Sequence, residues 1–215
     1  FCETAYILAY RGNEIVGRIA AIINPVANET WKEKRARFGW VDFIDDAEVT
    51  KALFGAAEKW AKSKGMDAIH GPLGFTDFDH EGLLVEGFDK MGTLATIYNY
   101  PYYPVHIEKN GYVKDIDRKE YLITVPEVFP EKYFRIADIV KEKYKLTPKR
   151  FKSRKEVVDN YAQKIFDLLN LCYSHLYGFT KLNDKQIHFY IKLYFSFFRL
   201  DTVSIVVDEK DDVVA

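Results

Sequence analysis

Apolar and polar residues alternate from Tyr6 to Tyr10, pause at Arg11-Gly12-Asn13 and resume in the β-branched run Ile15 to Ile23, which predicts a β-hairpin. Pro25 and the polar stretch to Arg37 predict a loop, and Phe38 to Ile44 a third strand. After Asp45-Asp46 the period changes. Val49, Leu53, Ala56, Ala57 and Trp60 recur at helical spacing, and Gly65 follows a lysine-rich last turn where a helix would stop. Met66 to Gly71 reads as a short buried strand. The order β-β-β-α-β predicts a mixed α/β (α+β) domain.

The segment 72–98 breaks this regularity. Gly74, Gly82, Gly87 and Gly92 are spread through it among acids and few periodic apolar positions. A loop of this length with leucines and aromatics is expected to be ordered and functional. Tyr100 to Asn110 predicts a short helix beginning near Pro101 or Pro104 and ended by Gly111; Tyr112 to Val125 predicts one or two strands. Between Lys141 and Lys155 stand eight Lys or Arg and one acid, Glu142, which predicts a solvated basic linker. Tyr161 to Tyr177 and Asp184 to Leu200 predict helices. Thr202 to Val207 and Val213 onward predict a hairpin. The aromatic helix Phe189 to Phe198 is apolar on more than one side, as expected for burial between two domains. Both ends of the chain fall in strand-like sequence, so it reads as an interior piece of something longer.

Composition narrows the function classes. In 215 residues, 31 Lys plus Arg stand against 32 Asp plus Glu, a formal charge of −1 that provides no global attraction to nucleic acid or an anionic surface. Hydrophobic residues at 48% and aromatics at 16% suit a packed core rather than disorder. Cys2 and Cys172 are too few for a disulfide framework, so a reduced, cytoplasmic setting is expected. No apolar run reaches the ~18 residues of a membrane span, and no membrane partner is expected.

Ile15-Val16-Gly17-Arg18-Ile19, the helical run from Ala52 to Gly65, the strand Asp67-Ala68-Ile69-His70 and the closing Glu108-Lys109-Asn110-Gly111-Tyr112-Val113 together resemble the GCN5-related N-acetyltransferase (GNAT) superfamily from its second strand onward. Residues 162–215 resemble the helices and first hairpin that open a second such domain. The chain is similar to a bacterial group of tandem-GNAT proteins: residues 1–126 a first GNAT-like domain with a mostly antiparallel sheet flanked by helices, 127–160 a basic linker, 161–215 the start of a second. The resemblance implies transfer from an acyl-CoA, acetyl-CoA or another, to a small-molecule or peptide amine, by direct attack of the amine on the thioester. It also implies a glycine-rich pyrophosphate loop at the start of the helix near Asp46. Here Asp45, Asp46, Glu48 and Thr50 stand where the basic residue and glycines belong. A carboxylate ~4 Å from a phosphate charge costs about 4 kcal/mol at an effective dielectric of about 20. Asp45 as N-cap with Glu48 three residues on reads instead as a capping-box-like helix start. Ile107 stands where the family often has a proton-donating tyrosine. The first domain is therefore expected to be degenerate for CoA, with any CoA loop lying in the second.

Further candidates lie in and after the long loop. His70, Asp79, Tyr98, Asn99, Tyr102 and Tyr103 suit a wall that stacks on and hydrogen-bonds a polar ligand, or equally an aromatic plug in a splayed sheet. His70, Asp77, Asp79, His80 and Glu81 match no metal-ligand spacing, and no metal is expected. The basic stretch lacks a nucleic-acid motif, and no nucleic-acid partner is expected. Two alternatives to acyl transfer from CoA stay open: a non-catalytic ligand-binding or scaffolding protein, and an aminoacyl-tRNA-dependent peptidyl transferase of tandem-GNAT type.

Overall fold

The computed structural model describes residues 2–93 and 96–215. Phe1 and two positions of the long loop, Leu94 and Ala95, lie outside the described residues. The chain divides into two compact units, one of residues 1–117 with 177–180 and one of residues 118–176 with 181–215.

In the first unit β1 (Glu3–Arg11), β2 (Glu14–Ile23) and β3 (Arg35–Phe43) form an antiparallel meander, and β4 (Ala68–His70) adds to β3 in parallel. The parallel pair needs a crossover, which α2 (Ala47–Ser63) supplies. α2 packs Val49, Leu53, Phe54 and Ala57 onto the sheet, where they meet Val16, Ile19, Phe38 and Phe43. Phe38 and Phe54 are completely buried, edge to face with centroids 5.2 Å apart. This is the mixed α+β arrangement, a mostly antiparallel sheet flanked by helices, that was expected.

Three local details differ from that expectation. Residues 25–31 form a helix, α1 (Pro25–Trp31): the Asn24 side chain accepts the Ala27 N–H and Pro25 fits the first turn without needing a donor. The cap of α2 is Asp46 rather than Asp45; its carboxylate accepts the N–H groups of Glu48 and Val49. Residues 112–130, expected to give one or two strands from Tyr112 to Val125, contain none and are almost wholly exposed, and strand-forming side chains make a strand only where they pair and pack. The helix before them, α3 (Tyr102–Lys109), falls within its expected bounds.

β3 also carries a bulge: Trp40 and Val41 stand opposite the single residue Ile19, and Trp40 takes φ of 42°. A bulky residue in this region is a genuine outlier, and the extra residue turns the strand and leaves its ladder groups unpaired. The Trp40 ring lies 5.0 Å from that of Phe75.

The second unit contains α4 (Glu131–Tyr144), α5 (Arg154–Asn160), α6 (Ala162–Cys172) and α7 (Asp184–Phe197), with β5 (Thr147–Arg150) and β6 (Ser204–Val207) paired antiparallel. Its core is Phe151, Val157, Tyr161, Ile205 and Val207. The basic stretch 141–155 is thus built into α4, β5 and α5. The expected 202–215 hairpin is present in short form: Val207 bridges Val213, the Val206 N–H donates to the Ala215 carbonyl at 2.7 Å and the Val214 N–H to the Val206 carbonyl at 2.9 Å, while β5 pairs with β6 as well. α7 buries Ile187 and Tyr190, whereas Phe189 and Phe197 are exposed.

Candidate functional site

The expected ligand wall separates into two places in the first unit. At the end of β3, Tyr102 Oη donates to the carbonyl of Phe43 at 2.9 Å. Tyr103 Oη accepts the Phe43 N–H at 3.4 Å and donates to Asp42 Oδ1 at 3.3 Å. The two phenols thus occupy the backbone groups that the open edge of β3 presents. Tyr103 stacks on Phe43 at 4.3 Å and is buried, and burial raises its pKa to about 12. Tyr100 stacks on Tyr102 at 5.5 Å, and Tyr98 meets Tyr100 edge-on at 6.2 Å. Tyr98 and Tyr100 are exposed, so the ladder ends in solvent. Asn99 is buried and structural: its amide oxygen accepts the Leu84 N–H and its nitrogen donates to the Leu84 carbonyl.

His70 and Asp79 belong to the other place, around Arg37. Arg37 and His70 are paired residues of β3 and β4. The buried Arg37 guanidinium donates to the carbonyl of Gly74 at 3.1 Å and to Thr180 Oγ1 at 3.2 Å. Burial lowers its pKa, opposed by the charges of Asp77 and Glu81. The same burial, with Arg37 and Arg35 nearby, brings His70 down to about 4, so its imidazole is neutral at pH 7. Asp79 Oδ2 accepts the N–H groups of Phe75 and Thr76, which winds the loop tightly against Gly74. Among the described residues no hydrogen bond or ring contact joins His70 or Asp79 to the tyrosines, and no group of three or more His, Cys, Asp or Glu is placed to hold a metal ion.

The start of α2 gathers the remaining polar chemistry. Asp46 pairs with Arg11 at 2.6 Å, and this contact, with the two backbone donors, holds its carboxyl below the usual 3.8. Asp45 lies beside α3, where its Oδ1 is 2.7 Å from His106 Nε2. A carboxylate only accepts, so Nε2 carries the proton. His106 Nδ1 lies 3.3 Å from Thr50 Oγ1. That hydroxyl also reaches the Ala47 carbonyl at 3.1 Å and receives Asn110 Nδ2 at 3.4 Å. Thr50 is completely buried and His106 nearly so, whereas the Asp45 side chain is 67% exposed. A buried histidine therefore stands behind an exposed carboxylate.

These residues do not fit a CoA pyrophosphate at the α2 start. Two N–H groups that would bind phosphate are already taken by the Asp46 carboxylate, and Asp45 and Glu48 add like charge beside it. Ile107 is packed in the core and offers no proton.

Sequence reasoning found the acids at the helix start and the tyrosines, and missed three elements. His106 stands four residues before Asn110, a spacing that puts both on one side of a helix, and that was its only signal. Trp40 and Arg37 carried none, since a bulge and a buried guanidinium depend on tertiary pairing.

No family model and no solved structure matches the chain. The chain is 32% identical over 180 residues to Protein YghO of Escherichia coli (strain K12), covering 83% of this chain and 45% of that protein. It is 28% identical over 189 residues to Bacterial ceramide synthase of Caulobacter vibrioides (strain NA1000 / CB15N), covering 86% of this chain and 47% of that protein. The chain spans about half the length of the curated relatives it matches, and its similarity to both runs through most of its own residues.

Proposed function

We propose that this chain belongs to an acyltransferase that joins an acyl group to an amine, and that the start of α2 serves the acceptor rather than the donor. The observation that carries this reading is the similarity to a ceramide synthase along 86% of the chain. A ceramide is the amide of a fatty acid with a long-chain amine, so the name of that relative describes N-acylation.

The α2 start agrees with an acceptor role by charge. Asp42, Asp45, Asp46 and Glu48 cluster within seven positions of sequence; Asp42 and Asp46 are paired with Arg18 and Arg11, and Asp45 and Glu48 leave the negative charge that attracts an approaching ammonium. Asp45, whose side chain is 67% exposed, has its Oδ1 fixed by the His106 Nε2–H. In the proposed step the ammonium gives one proton to the Asp45 carboxylate, the freed nitrogen attacks the acyl carbonyl, the carbon–sulfur bond of the thioester breaks with its electron pair leaving on sulfur, and the second nitrogen proton passes to that thiolate. Asp45 receives and orients the ammonium; His106 is a positioning residue. The backbone N–H groups at the Trp40 bulge, where the β2–β3 register shifts, are the candidate donors to the developing oxyanion. No residue of this helix start is assigned to CoA.

The test is amide formation from a long-chain amine, such as sphinganine, and an acyl thioester, read by mass spectrometry. Amide that depends on the protein and falls roughly tenfold or more in Asp45→Asn, with unchanged circular dichroism, supports the reading. Protein that is folded and yields no amide across short and long acyl thioesters overturns it.

A further inference from the structure

α4 is an amphipathic helix without a covered face. None of its residues is buried. At about 3.6 residues per turn, Tyr133, Ile136, Ala137, Val140 and Tyr144 fall on one side, and Tyr133, Ile136 and Tyr144 are more than half exposed. A solvated helix of this length is marginal in water and normally draws its stability from covering such a stripe.

The charges say what kind of surface fits. Lys132 and Lys143 border the stripe on one side and Lys141, paired with Asp138 at 2.6 Å, on the other, whereas Glu131, Asp138 and Glu142 lie on the opposite face with Arg135; exposed Phe134 and Ile139 widen the apolar surface at its two edges. Lys132 and Lys143 lie against the rings of Tyr133 and Tyr144, at 5.3 and 5.1 Å, so a cation stands beside an aromatic ring at each end of the stripe. An apolar stripe with an aromatic at each end, lysines along its edges and acids on the far face are the layout of a helix lying in a lipid interface. Among the described residues no helix is long and apolar enough to cross a membrane, and lying on one requires no span. We propose that α4 docks on an anionic lipid surface, with the Tyr133–Ile136–Val140–Tyr144 stripe among the acyl chains and the lysines at the headgroups. The inference rests on the helix alone and does not require acyl transfer.

Co-sedimentation with vesicles tests it. The chain is expected to bind vesicles of phosphatidylcholine mixed with phosphatidylglycerol, and to bind pure phosphatidylcholine roughly tenfold or more weakly. Ile136→Ser with Val140→Ser, both at exposed positions, should lower binding by roughly tenfold or more with unchanged circular dichroism. Lys132→Glu with Lys143→Glu should lower it on the anionic vesicles alone. Failure of the unsubstituted chain to sediment with the anionic vesicles, or equal binding by the serine variant, would overturn the proposal. So would self-association that the serine substitutions abolish without any vesicle binding, since the stripe would then belong to a second copy.

Discussion

Asp46 serves two partners at once, the open N–H groups of α2 and the guanidinium of Arg11. Asp46→Ala removes both and should lower the urea midpoint, whereas Asp46→Asn keeps an accepting oxygen and should restore most of it. Because the folded carboxyl titrates below 3.8, its contribution is present above that pH and is lost as pH falls through the lower folded value. The acid limb in Asp46→Asn should therefore be shallower below 3.8. His70 governs a separate window. Its folded pKa is near 4 against an ordinary 6.5, so between these values the unfolded chain binds the extra proton and stability falls as pH falls. The loss by pH 4 is on the order of 3 kcal/mol, and His70→Gln should abolish it. A pH series of denaturation midpoints that is flat across this window in the unsubstituted chain would contradict the assignment.

Elements meet most tightly where β3 passes the loop after β4. A Cβ on Gly39 would stand 2.2 Å from the Leu73 carbonyl oxygen, and backbone on both sides leaves little room to yield. Gly39→Ala should cost about 1–3 kcal/mol, as overpacking does, read by thermal or urea unfolding. The end of α1 offers the opposite change. Lys32 closes that helix with φ of 56°, and Lys32→Gly should stabilise by about 0.5–1 kcal/mol by relieving the left-handed conformation. Elements with their own periodicity were readable without coordinates: the Ile15–Ile23 strand and the Val49–Trp60 helix each state a buried face in their spacing. Asn24-Pro25 carried a legible cap-and-first-turn signal that the polar composition of the segment obscured. Tyr121-Leu122-Ile123 shows the limit, since strand-forming side chains make a strand only beside an available edge. The Asp45–His106 pair was beyond reach for a similar reason, because it joins residues 61 positions apart.

Across the whole molecule, the most accessible backbone is expected between the last turn of α3 and the start of α4. Residues 113–130 are exposed and lack regular structure, and they hold Lys114, Arg118 and Lys119. Limited trypsin digestion should cut first at these positions, leaving fragments near each side that mass spectrometry identifies; a first cut within α2 or β2 would contradict the description. Composition could not foresee this division, because near-neutral charge and a large apolar share are properties of sums. Within the first unit, one side chain limits how far the long loop can wander. By bonding both the N–H and the C=O of Leu84, Asn99 imitates a short piece of neighbouring strand. The chain between those residues is thereby a closed ring rather than an open excursion, and a ring's entropy grows only slowly with its length. Extra residues inserted there should consequently be tolerated, whereas Asn99→Leu, which opens the ring, should free the entire stretch at once.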